Sequence, residues 1–186
     1  MLALGTPAPD FQLPDAISGK TISLDTFAGG KGLLVMFLCP HCPYVKHIQQ
    51  GLAHLAKDYS GTALRMAAIS SNDVAQYPED GPEGLRRMAA DLEFDFPYCY
   101  DETQETAKAY TASCTPDFFL FGQARELVYR GQFDESRRTN TLPVTGADLR
   151  AEIDAVLAGR PVTGLQRPSI GCNIKWKPGN EPAYYG

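Results

Sequence analysis

The chain has 186 residues, 44% of them hydrophobic, with 17 Lys and Arg against 22 Asp and Glu for a net charge of -5. This length suits one domain with elaborations, and this apolar share supports a core, so a wholly disordered chain is excluded. The acidic balance offers no field for a phosphate backbone, and the longest apolar run, residues 33–39, is far short of the roughly 20 residues of a spanning helix; neither nucleic acid nor a membrane is an expected partner.

The N-terminus lacks a basic region followed by a long apolar stretch, so it does not read as a secretory leader, and the cytoplasm is the expected compartment. Pro7, Pro9, Pro14 and the pair Gly29-Gly30 punctuate short apolar pieces, which predicts a small hairpin extension over residues 1–30. Residues 33–38 are continuously apolar, the pattern of a strand buried on both faces. Val45, Ile48, Leu52, Leu55, Ala56 and Tyr59 then recur at spacings of three and four, the stripe of an amphipathic helix.

A second apolar run covers 64–69, and beyond the polar loop SSNDVAQYPEDGPEG a helical stripe passes through Leu85, Met88, Ala89 and Leu92. Strand, helix, strand, helix implies βαβ units. A third strand is predicted over 96–100, a weaker helix over 101–110, two strands over 118–121 and 127–133, and a helix through Leu149, Ile153, Val156 and Leu157 that Gly159 stops. Residues 160–186 are rich in Pro and Gly yet carry Cys172, Trp176, Tyr184 and Tyr185, which predicts an ordered tail draped on the body. The expected architecture is a single α/β domain over residues 1–186, a mixed central sheet flanked by helices.

The five cysteines, at 39, 42, 99, 114 and 172, are an odd number in a medium-sized chain, which points to catalytic or metal-binding use rather than to disulfide staples. Cys39-Pro40-His41-Cys42 falls where the first buried strand hands over to its helix. Unpaired N–H groups and the positive end of the macrodipole at a helix N-terminus favour an anion, so Cys39 is the expected thiolate. Spacing of i and i+3 brings the second thiol within closing distance, so Cys42 can resolve what Cys39 attacks. Pro40 suits the first helical position, and a protonated His41 would favour the thiolate further and make the disulfide more oxidising. The same cysteines could instead form half a zinc site completed by His41, His47, Cys114 or Cys172.

Several segments together resemble the thioredoxin superfamily, in the peroxiredoxin-like branch related to alkyl hydroperoxide reductase and thiol-specific antioxidant proteins. They are the opening GTPAPDFQLPDAISGKTISLDTFAGGKGLLVMF, CPHCPYVKH, the SSND loop with YPEDGPE, YDETQETAKAY followed by CTPDFFLF, and the tail PSIGCNIKWKPGNEP. The resemblance implies a thiol–disulfide oxidoreductase with Cys39 attacking, Cys42 resolving and Pro116 as a cis proline. Thr115 would then offer its backbone to an extended substrate beside Cys39. The implied partners are a protein disulfide or dithiol and a thiol system that donates or accepts electrons, and the cycle needs no metal or organic cofactor.

Two departures from the family pattern matter. Neither cysteine sits in the Pro-x-x-x-Thr/Ser-x-x-Cys frame of peroxidatic cysteines, since Met36 and Gly32 precede Cys39 at those offsets, and Cys39 and Val35 precede Cys42. Disulfide exchange is therefore expected ahead of the two rivals, a peroxidase and a metal-binding thiolate module. The position that holds a buried carboxylate in thioredoxin is matched by Met36, which leaves the proton acceptor unassigned. Cys114 and Cys172 are candidate accessory thiols, and Cys99 is expected in the core.

Overall fold

The computed structural model describes residues 2–185. An antiparallel hairpin of β1 (Gln12–Pro14) and β2 (Thr21–Ser23) precedes the body, followed by β3 (Gly32–Phe37), α1 (Pro43–Tyr59), β4 (Leu64–Ser70), α2 (Pro82–Asp91) and β5 (Tyr98–Tyr100). Next come α3 (Glu105–Ala109), β6 (Cys114–Thr115), β7 (Asp117–Phe121), β8 (Leu127–Gly131), α4 (Ala147–Leu157) and β9 (Cys172–Asn173). The central sheet has the order β5-β4-β3-β7-β8. β3, β4 and β5 run parallel, while β7 and β8 are antiparallel, so the sheet is mixed.

β3 is apolar throughout because both of its faces are covered. Leu34, Met36 and Leu38 point into one core with Val45, Ile48 and Leu52 of α1 and Leu149 and Ile153 of α4. Leu33, Val35 and Phe37 point into a second core with Phe11, Ile22, Tyr110 and Trp176. β7 divides in the same way, Phe118 and Leu120 to one side and Phe119 and Phe121 to the other. Fully burying each such side chain contributes about 1.5–3 kcal/mol, so the two cores clamp the strands that carry the ends of the site.

Several boundaries differ from the sequence expectation for identifiable reasons. The strand expected over 96–100 begins at Tyr98, since Pro97 has no N–H for the ladder. The helix expected over 101–110 shrinks to Glu105–Ala109, because the Asp101 carboxylate accepts from the Ala107 N–H and the Ser71 hydroxyl and holds its own segment in a turn. The strand expected to reach 133 ends at Gly131, where the Gln132 N–H turns to the Arg167 carbonyl of the tail. α1 starts at Pro43, and the two short strands β6 and β9 carry no periodic signal at all.

Beside the sheet, Arg130 donates to Asp117 at 3.0 Å, both side chains almost fully buried, and its guanidinium lies 4.7 Å above the Phe119 ring. Burial pushes the Asp117 carboxyl up, against the pull of Arg130. Removing one member of such a pair strands a buried charge. Arg130→Met is expected to lower unfolding stability by about 3–5 kcal/mol at neutral pH. Asp117 in that variant has its folded pKa above the unfolded one, so protonation relieves the loss. Urea titrations should show the gap to wild type narrowing as pH falls toward the carboxylate range; a gap that widens would contradict this account.

Candidate active site

β3 delivers Cys39 to its carboxyl end, and the bend through Pro40 and His41 leads to Cys42, the N-cap of α1. Both cysteines are fully buried. The Thr115-Pro116 peptide is cis and faces them across the sheet. The Thr115 hydroxyl lies 3.2 Å from Cys39 Sγ, and the Thr115 carbonyl lies 3.1 Å from Cys42 Sγ, within reach of a Cys42 S–H. Four residues named from sequence, Cys39, Cys42, Thr115 and Pro116, are thus brought together.

The two thiols are shifted in opposite directions. Cys42 is held well below the ordinary thiol range by the hydrogen bond from Cys39, helped by the Thr115 hydroxyl and the backbone N–H groups of Val45 and Cys172. Cys39 is pushed far up by that same bond with Cys42, by burial and by the nearby Asp80 carboxylate. The helix boundary contributes: Pro43, not Pro40, holds the first helical position, so Cys42 is the N-cap and stands at the positive end of α1.

Asp80 supplies what the sequence left unassigned. It is fully buried at the end of the short 3-10 turn Pro78–Asp80. Its carboxylate accepts from the His41 backbone N–H at 3.0 Å, from the Asn72 side chain at 2.8 Å, and from the His41 ring nitrogen Nδ1. His41 Nδ1 also lies 3.7 Å from Cys39 Sγ, and Tyr77 stacks on the ring with centroids 4.5 Å apart. A buried carboxylate thus reaches the thiols from the 71–81 loop instead of from β3, where Met36 packs into the core. The segments SSND and YPEDGPE were visible in the chain, but nothing in their spacing placed Asn72, Tyr77 and Asp80 against His41.

The donor atoms of Cys39, His41 and Asp80 all lie within 4.8 Å of one another, the one such group of three or more among the described residues. The other zinc candidates lie elsewhere in the site or outside it. His47 pairs with the Ser136 hydroxyl at 2.8 Å. Cys114, beside the cis proline, approaches the Pro116 carbonyl at 3.5 Å, and burial pushes its thiol up. Cys99 sits in the second core, where burial pushes it to about 12.

Cys172 is different, and it changes the expected role of Thr115. β9 pairs antiparallel with β6, Cys172 opposite Thr115, so the chain's own tail occupies the backbone edge expected to receive substrate. The tail is pinned beyond this point. Lys175 N–H donates to Asn72 Oδ1 at 2.8 Å, the Lys175 carbonyl accepts from Asp73 N–H and the Gln104 side chain, and Ile174 and Trp176 are buried.

Against known proteins, residues 4–130 match the model of the AhpC/TSA family. The chain is 51% identical to an uncharacterized conserved protein of known structure from Geobacillus kaustophilus, with a TM-score of 0.93 over 96% of this chain and 95% of that one. It is 49% identical to the hypothetical protein SMc02350 from Sinorhizobium meliloti 1021, again with a TM-score of 0.93, over 96% of this chain and 97% of that one. A thiol:disulfide interchange protein of the thioredoxin family from Chlorobium tepidum shares the fold at a TM-score of 0.63 and 16% identity, over 84% and 99% of the two chains. No curated protein sequence matches. The chain belongs to the AhpC/TSA family, and its fold is thioredoxin-like.

The lowered Cys42 thiol has a spectroscopic consequence. Reduced protein titrated from neutral toward acid pH is expected to keep the 240 nm thiolate absorbance well below the range in which a free cysteine loses it. Cys42→Ser should abolish that signal. Its persistence in Cys42→Ser together with loss in Cys39→Ser would place the thiolate on Cys39.

Proposed function

We propose that this AhpC/TSA-family chain is a thiol–disulfide oxidoreductase that exchanges disulfides of proteins or small thiols through Cys39 and Cys42. The observation that carries the reading is the pair of buried thiols at the β3–α1 junction, both within hydrogen-bond reach of Thr115 at the cis Thr115-Pro116 peptide. A thiolate is the attacking species in disulfide exchange, and a neighbouring thiol held in reserve completes it.

The Cys42 thiolate attacks one sulfur of the substrate disulfide, forming a mixed disulfide and releasing the other substrate sulfur as a thiol. Cys39 gives its proton to the His41–Asp80 pair and attacks Cys42 Sγ, and the second substrate sulfur leaves. The Cys39–Cys42 disulfide is then reduced by a donor thiol system, and the same steps reversed oxidise a substrate dithiol. This order exchanges the roles that the family resemblance implies, because the helix N-terminus is at Cys42.

A peroxidase is the second reading. Family membership and the low-lying Cys42 thiol favour it, since a thiolate also attacks hydroperoxides to give a sulfenic acid. The missing peroxidatic frame weighs against it.

Insulin reduction with dithiothreitol as donor separates the readings. Wild type is expected to accelerate it, and Cys39→Ser and Cys42→Ser should each fall to the uncatalysed rate. Peroxide consumption with no insulin turnover would select the peroxidase. Asp80→Asn preserves shape while removing the proton acceptor, and it should slow exchange about 100-fold, with the rate recovering as pH rises. A wild-type rate in Asp80→Asn would remove Asp80 from the proton transfer.

A further inference from the structure

Cys39 and Cys42 have no exposed surface, and β9 lies across the edge through which an extended substrate would reach them. Cys172 is the least buried of the five cysteines. It stands opposite Thr115 in the β6–β9 pair, Cys42 Sγ lies 3.1 Å from the carbonyl of that same Thr115, and Cys172 packs against the core cluster that holds Cys42. The approach is built into the backbone. A Cβ at Gly171 would stand 2.1 Å from the Thr115 carbonyl oxygen, so only glycine lets the tail lie this close to the cis proline.

From this placement we infer that Cys172 is a third redox thiol, which takes the oxidising equivalent from the buried pair and passes it to an external thiol, or in the reverse direction takes it from an external disulfide and passes it inward. The inference rests on the reading of Cys39 and Cys42 as an exchanging pair. In the step, Cys172 as thiolate attacks Cys42 Sγ in the Cys39–Cys42 disulfide. The Cys42–Cys172 bond forms as the Cys39–Cys42 bond breaks. The electron pair leaves on Cys39, which takes up a proton in place of the one Cys172 gave up, and His41 stands beside it to deliver that proton. No net oxidation or reduction occurs. Run in reverse, the step carries an equivalent from the tail inward.

The surroundings suit the attack. In the reduced state the Cys172 thiol is pushed up to about 11 by burial and by Cys42, against the pull of Lys175 and Arg138. Once Cys42 is in a disulfide its contribution disappears, and the two cations remain. The Asn72 side chain holds the Lys175 N–H with one atom and Asp80 with another, so the tail and the proton acceptor share a single positioning residue.

The test maps bridges and rates separately. Wild type, Cys39→Ser and Cys172→Ser are oxidised with diamide, unreduced peptides are identified by mass spectrometry, and insulin reduction is measured on the same preparations. Cys39→Ser is expected to lose two titratable thiols and yield a Cys42–Cys172 linked peptide. Cys172→Ser should still close Cys39–Cys42 yet exchange with insulin roughly tenfold more slowly. Absence of the linked peptide in Cys39→Ser, or a wild-type insulin rate in Cys172→Ser, overturns the third thiol. Wild type that neither closes Cys39–Cys42 nor reduces insulin defeats the exchange reading instead, and the linked peptide in Cys39→Ser still decides whether Cys172 reaches Cys42 as assigned.

Discussion

A carboxylate buried with no lysine or arginine beside it is tolerable only if hydrogen bonds replace the water it lost. Asp80 is such a group, and three donors satisfy it: the His41 backbone, the His41 ring and the Asn72 side chain. Each donor ties down a different part of the molecule. His41 fixes the bend between the two active cysteines, and Asn72 uses its other amide atom to hold the tail at Lys175. The loop, the redox pair and the C-terminal segment therefore depend on one buried group.

The scaffold gives this arrangement its rigidity. β3 and β7 are buried on both faces, so the ends carrying Cys39 and Pro116 cannot shift without disturbing one of the two cores. The site lies past the carboxyl ends of the parallel strands, where ligand sites of open α/β sheets form. α1 then places the positive end of its dipole next to the Cys42 sulfur at its N-cap.

The tail alters what a thioredoxin-like site can do. An open edge at Thr115 would accept an extended peptide by strand pairing. With Cys172 paired there, an incoming chain meets the tail before it meets the buried sulfurs. The Gln104 side chain reinforces the closure. It donates to the Ser71 and Lys175 carbonyls and accepts from the Lys177 N–H and the Asn180 amide.

The chain's own pattern was enough for the order of the main strands and helices, the two-faced burial of β3 and the CxxC at a strand-to-helix junction, while the proline facing it came from the family resemblance. Those features are local: apolar period, turn residues and motif spacing are all read within a few neighbouring positions. The helix start was not legible, because either Pro40 or Pro43 suits a first turn, and the structure begins α1 at Pro43. Asp80, Asn72 and Gln104 look like ordinary loop polar residues in the text of the chain. They became site residues only when packing brought residues 72, 80, 104 and 175 around His41 and the tail. β6 and β9 are two residues each, too short for any period, and their pairing joins positions 57 apart. Local chemistry thus determined the elements and the reactive pair. Long-range packing alone decided which polar groups surround the two thiols and what covers them, because burial and hydrogen bonding are properties of the folded neighbourhood.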